Sequence, residues 1–265
     1  MQKIKAKKSL GQNFLKSKKA LFAMIKAGEI TSKDIILEIG PGKGSLTEKL
    51  LETDAKIIAV EKDDRLNNFL NEKFLNEKIT GQFTLIHDDI LKLDLNSLKI
   101  KNGNYKLIAN IPYYITGLIF RKFLSENIQP SKLIIMVQKE IADRIIARNK
   151  KESLLSLSVK VYGKVIKIMK VGKENFSPKP KVDSAILLVD NISKNFFKEI
   201  NEEKFFEILK ISFAHKRKML ITNLKEKFAK NNLLKIFQDL KISEKVRAED
   251  LKIENWKELV KKLID

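Results

Sequence analysis

The chain has 265 residues, 43% hydrophobic and 32% charged. That composition excludes a disordered chain and leaves room for one full domain and a smaller one. With no cysteine, disulfides, thiolate zinc sites and a cysteine nucleophile are excluded together, as suits a reducing cytoplasm. The 53 Lys and Arg outweigh the 33 Asp and Glu by +20, a surplus that favours a polyanionic partner. Only six of the basic residues are Arg, so the charge speaks to affinity for phosphates rather than to base readout.

The N-terminal segment carries eight lysines before the first acid, Glu29. It lacks the apolar core of a secretion signal and reads as part of the mature protein. Strand-like runs follow at Ile35–Ile39, Lys56–Val60, Phe83–His87, Tyr105–Ala109 and Leu133–Gln138, with helical stretches between them. This alternation predicts a parallel sheet with crossover helices. Gly40–Gly44 and Ile111–Tyr114 then fall in loops at the carboxyl ends of two strands. Leu155–Val171 and Ala185–Val189 read as two further strands. From about Ile192 the pattern turns helical, and Trp256, Leu259, Val260 and Leu263 share the core face of a helix. The expected organisation is an α/β domain over 1–190 and a helical domain over 191–265. The apolar runs, such as Leu133–Val137, are far shorter than the ~18–20 residues of a membrane span, and no residues have metal-ligand spacing.

The loop Glu38-Ile39-Gly40-Pro41-Gly42-Lys43-Gly44-Ser45 follows the first sheet strand. A dinucleotide fingerprint would need glycine at Ser45, and a P-loop would need Ser or Thr directly after Gly-Lys. Glycines 40, 42 and 44 therefore suit a ligand that is not a pyrophosphate. Glu61, about 20 residues on, can accept ribose hydroxyls. Asp89, after the third strand, can accept an adenine amino group. With Glu38, these acids stand at successive strand ends of one sheet, a pattern that resembles class I S-adenosyl-L-methionine methyltransferases. The resemblance implies a Rossmann-like, seven-stranded, mostly parallel sheet.

The fourth strand runs into Asn110-Ile111-Pro112-Tyr113. This is similar to the motif of methyltransferases that act on the exocyclic amines of bases. Such an amine has its lone pair delocalised into the ring. Asn110 and a carbonyl of the Pro112 turn can accept its two N–H groups, and Tyr113 can stack on the base.

Three further segments carry a closer resemblance, to the ribosomal RNA adenine dimethyltransferases. They are Lys8–Leu15, Phe176–Ser184 and Phe213–Leu220. The resemblance implies that Asn13 and Leu15 lie over the cofactor and that Phe176 stacks the target base opposite Tyr113. It also implies that Lys7, Lys8, Lys216, Arg217 and Lys218 track RNA. Gly-Gln-Asn-Phe-Leu and Pro-Lys-Val-Asp-Ser resemble the housekeeping branch, which dimethylates two adjacent adenines near the 3′ end of small-subunit RNA. The implied partner is the immature small subunit, and a monomer suffices. A large-subunit resistance enzyme, a DNA adenine methyltransferase and a silent RNA-binding factor are the alternatives. Two departures from the family pattern are Lys43, between the last two glycines, and Gly117-Leu118 after Thr116.

Overall fold

The computed structural model describes residues 4–264, so Lys3 of the basic arm lies outside the described residues. The elements run β1 (Phe14–Leu15), α1 (Lys18–Gly28), β2 (Ile35–Ile39), α2 (Ser45–Leu51), β3 (Lys56–Glu61), α3 (Asp64–Lys73), α4 (Leu75–Ile79) and β4 (Phe83–His87). There follow β5 (Lys106–Ala109), α5 (Thr116–Ser125), β6 (Lys132–Gln138), α6 (Lys139–Ile145), α7 (Leu154–Lys160), β7 (Lys164–Val171), β8 (Phe176–Ser177) and β9 (Ser184–Asp190). The last four are α8 (Glu202–Ser212), α9 (Leu220–Leu224), α10 (Lys230–Asp239) and α11 (Ile253–Ile264).

Seven strands form one sheet in the order β4-β3-β2-β5-β6-β9-β7. The first five are parallel, and β9 runs antiparallel to both of its neighbours. The parallel strands are almost continuously apolar because helices cover both sheet faces, and Ile36, Ile57, Leu107 and Ile134 are fully buried. Strand order reverses between β2 and β5. In open α/β sheets the crevice beyond the carboxyl ends at such a switch point is where ligands bind.

One expected strand is corrected. The run predicted over Leu155–Val171 divides into a helix, α7, and a strand, β7. Leu155, Leu157, Val159 and Val161 alternate as a strand would. However, Ser153 and Ser156 exchange side chain-to-backbone hydrogen bonds in a capping box, which starts a helix instead. The fold also gains what the sequence hid, a two-residue antiparallel pair of β1 with β8.

The chain divides into two compact units. One holds the described residues up to Ala142 together with Lys164–Ile192, and the other holds Asp143–Gly163 and the residues from Ser193 onward. The second unit therefore takes α7 as well as the C-terminal helices. Within it, Trp256, Leu259 and Val260 are fully buried, and Phe213 stacks on Trp256 at 5.8 Å between ring centres.

Candidate active site

The carboxyl ends of β2, β3, β4 and β5 open onto one cavity, closed on another side by the N-terminal strap of residues 10–15. Asn13, Leu15, Glu38, Gly40, Gly42, Glu61, Asp89, Asn110, Pro112 and Tyr113 all line it. The topology thus gathers residues spread over about a hundred positions.

The glycine loop shows what the cavity accepts. Gly40 has φ +63°, and a Cβ placed there would meet no atom within 4 Å. Its bare backbone therefore borders open space, a cradle for a ligand. Gly42 donates its N–H to Glu61 Oε2 at 3.2 Å. A phosphate-binding loop would keep that donor for the ligand. Gly44 plays a different part from the one expected and does not line the cavity. At φ +76°, its Cβ would lie 2.6 Å from Phe74 Cε2, so glycine here lets the loop pack against the end of α3.

The carboxylates set the electrostatics. Glu38 is fully buried and takes a hydrogen bond from the Thr47 hydroxyl at 2.8 Å. Burial pushes its pKa up to about 8; the Thr47 bond opposes the rise and the nearby Glu61 charge adds to it. Glu61 is also raised by burial, which outweighs the N–H groups of Asp63, Gly42 and Lys62 that bond its carboxylate. At Asp89 burial acts upward too. There the Lys62 hydrogen bond at 2.8 Å and the Leu91 N–H win, and the group stays below its usual range. Lys43 lies with its Nζ 4.9 Å above the Phe14 ring, a cation–π contact that holds the unusual lysine to the strap.

Asp88 and Asp89 on this wall repel phosphate, whereas Glu38, with its pKa pushed up to about 8, adds no charge at neutral pH. The wall suits a ligand with hydroxyls, amines and positive charge. S-adenosylmethionine, with its ribose, adenine amine, ammonium and sulfonium, fits that donor set.

Asn110 lies on the β5 side of the cavity. Its Nδ2 donates to the Asn13 carbonyl at 3.3 Å, and no described residue donates to its Oδ1. The side chain thus presents an acceptor oxygen. The Pro112 carbonyl takes the Ile115 N–H at 3.3 Å and keeps a second lone pair. The Tyr113 hydroxyl is tied to Ser184 Oγ at 2.7 Å, fixing a ring on the cavity wall. Ser184 carries no functional signal of its own in the sequence; it closes the Phe176–Ser184 segment and thereby joins two signatures. Gly117-Leu118 follow the Asn110–Thr116 stretch directly. Both residues lie in the first turn of α5, and the Thr116 hydroxyl bonds the Tyr113 carbonyl at 2.9 Å.

Phe176 is buried and pairs through β8 with Leu15, a residue of the cavity lining. Its ring is 2% exposed, belongs to the apolar core, and is not part of the cavity lining. Lys7 and Lys8 are exposed on the first unit. Lys216, Arg217 and Lys218 are exposed on the second, in the turn between α8 and α9. His87 pairs with Asp64 at 2.8 Å, and His215 faces Glu226 at 3.5 Å. Among the described residues no cluster of His, Cys, Asp or Glu could hold a metal, and no helix is long and apolar enough to cross a membrane.

Residues 3–265 match the family described as ribosomal RNA adenine dimethylase. The chain belongs to that family. A ribosomal RNA small subunit methyltransferase A of Dehalococcoides mccartyi is 38% identical over 258 residues, 97% of this chain and 88% of that protein. Its namesake in Fusobacterium nucleatum is 39% identical over 261 residues, 97% of each. The crystal structure of a dimethyladenosine transferase from Plasmodium falciparum superposes with a TM-score of 0.80 at 29% identity, covering 93% of this chain and 95% of that one. The crystal structure of the 23S rRNA methyltransferase ErmE gives 0.76 at 22% identity, covering 96% and 100%; it shows the shared fold. This member of the family is a class I, S-adenosylmethionine-dependent methyltransferase that dimethylates adenine in ribosomal RNA.

Proposed function

We propose that the RNA is that of the small subunit, and that the target is N6 of two adjacent adenosines in a hairpin loop near its 3′ end, modified in the assembling particle. Relatives that match the chain almost end to end carry a small-subunit name. The enzyme would work as a cytoplasmic monomer.

The carrying observation is the hydrogen bond from Asn110 Nδ2 to the Asn13 carbonyl. With the donor end spent, the Oδ1 end meets the incoming amine. Asn110 Oδ1 accepts one N6–H and the Pro112 turn accepts the other. The nitrogen becomes more pyramidal, and its lone pair turns out of conjugation. S-adenosylmethionine supplies the methyl as an electrophilic sulfonium. Glu61 would hold the ribose hydroxyls and Asp89 the adenine amine, and Gly40 would let backbone approach. Gly42 leaves room for the Phe14 ring, which a Cβ would meet at 3.1 Å. Asn13 and Leu15 close the cavity from the strap and exclude water. Tyr113 stacks the flipped base, its ring angle set by Ser184. The extra proton is acidic once the nitrogen is alkylated, so orientation and dipole placement replace a tuned base.

The basic residues act at longer range. Lys7 and Lys8 on one unit and Lys216, Arg217 and Lys218 on the other supply phosphate contacts that position the RNA, while the pocket selects adenine.

Labelled S-adenosylmethionine, incubated with small-subunit particles lacking the modification and separately with large-subunit RNA, tests the substrate. Digestion to nucleosides should yield N6,N6-dimethyladenosine from the small subunit alone. Label on the large-subunit RNA would assign the chain to the other branch.

A further inference from the structure

Asp63 does more than cap a helix. As N-cap of α3 it needs one bond, from the Arg65 N–H at 3.2 Å. Its side chain, wholly shielded from solvent, also takes Arg65 Nε at 3.0 Å, Arg65 Nη2 at 2.6 Å and Gln12 Nε2 at 2.9 Å. Lys7 Nζ adds a charge at 4.0 Å. Arg65 holds the carboxyl down to about 2 against burial, with Gln12 helping, so it is ionised at any working pH. Asp63 and Arg65 do not line the cavity.

The cluster grips the strap by its backbone. Gln12 Oε1 accepts the Lys7 N–H at 2.7 Å, and Arg65 Nη1 donates to the Lys5 carbonyl at 3.3 Å. At its far end the strap is held separately, by the β1–β8 pair and by the Lys16 N–H on the Asn175 carbonyl at 2.8 Å. Between these anchors, Gly11 passes so close to the Asn110–Tyr114 loop that a Cβ would sit 3.2 Å from both Pro112 Cβ and Tyr114 Cε1. The carbonyl of Asn13, the residue after Gln12, receives Asn110 Nδ2.

A carboxamide has nearly the same shape when flipped, but its two ends have opposite hydrogen-bonding character. Flipped, Asn110 would point an NH2 at the substrate's own NH2. The described contact that selects the productive orientation is the Asn13 carbonyl, and its place depends on the strap.

We infer that Asp63, braced by Arg65 and gripping Gln12, is a positioning residue for methyl transfer: it fixes the strap from which Asn13 orients the Asn110 carboxamide. This rests on the proposed role of Asn110 and adds the device that aims it.

The test uses the full chain, small-subunit particles lacking dimethyladenosine, and saturating labelled S-adenosylmethionine in single turnover. Calorimetry gives cofactor Kd and a melt gives Tm. Asp63→Ser keeps a helix cap but cannot reach Gln12 or the Arg65 fork. It should slow transfer by about tenfold or more at saturation, with KM for the particle changed by less than about threefold. Asp63→Asn, which can still accept from Gln12, should recover part of the rate. Transfer at the wild-type rate in Asp63→Ser would overturn the inference, whatever its cofactor Kd. Should Asp63→Ser fail to fold, Arg65→Gln answers the same question by the same readout. A wild-type chain that transfers nothing would instead defeat the proposed substrate.

Discussion

At the scale of single residues, the site is governed by which hydrogen-bonding ends are already spent. Gly42 spends its N–H on Glu61, Asn110 spends Nδ2 on the strap, and Asp89 shares its charge with Lys62. What remains facing the cavity is mostly acceptor, which matches a cofactor and a base that both bring N–H and O–H groups. Glu38 is the extreme case, a buried carboxyl whose pKa stands at about 8 instead of 4.5. The folded state therefore holds its proton more tightly than the unfolded state does. Its stabilising contribution is complete below pH 4.5 and drains away as pH rises toward 8. The Tm of cofactor-free protein should fall across that window, by the equivalent of at most about 1.4 kcal/mol per pH unit from this group. Glu38→Gln should flatten the slope, and an unchanged slope in a thermal-melt series would assign the pH dependence elsewhere.

At the scale of elements, Gly44 shows how the cofactor loop is built on packing. Its φ of +76° and the Phe74 ring 2.6 Å from a Cβ position penalise any side chain. Phe74 is itself locked edge-on against Phe83 at 5.2 Å. Gly44→Ala should cost about 2–4 kcal/mol of stability, measured by urea unfolding. A cost below about 1 kcal/mol would mean that Phe74 yields. In the sequence, Gly44 groups with Gly40 and Gly42 because all three share one spacing rule, and only three-dimensional packing separates them. The parallel strands are legible because burial on both faces leaves an unbroken apolar run, as in Leu133–Val137. Leu155–Val161 reads as a strand because its apolar residues alternate, while a helix cap made by Ser153 and Ser156 decides the matter the other way. The β1–β8 pair, two residues long, has no periodicity to read. The same pair sets Phe176, buried, opposite Leu15 of the strap.

At the scale of the whole molecule, the basic surplus is shared by both units, while the cavity lies in the first. The net +20 is plain from composition, whereas the placement of Lys216, Arg217 and Lys218 in an exposed turn of the second unit is not. Replacing these three with Ala should weaken RNA binding and reduce the slope of log affinity against log salt by about 0.7–0.9 for each phosphate no longer neutralised. Filter binding over a salt series reads this directly, and an unaltered slope would show that the turn does not touch the RNA backbone. The methyltransferase class is legible in the spacing of Glu38, Gly40, Glu61, Asp89 and Asn110, which the fold brings to strand ends around one cavity, and the family in the segments Lys8–Leu15, Phe176–Ser184 and Phe213–Leu220. The Gln12–Asp63–Arg65 cluster is not, because its members are common surface residue types that only the fold brings together.

The central claim is that Asn110 presents an acceptor to the adenine amine. Single-turnover methyl transfer by Asn110→Ala, on small-subunit particles with saturating S-adenosylmethionine, tests it most directly. The expected result is a rate lowered by about 100- to 1,000-fold, with particle binding within about twofold of the unmodified chain. Transfer at an undiminished rate, or binding that fails in step with it, would contradict the assignment.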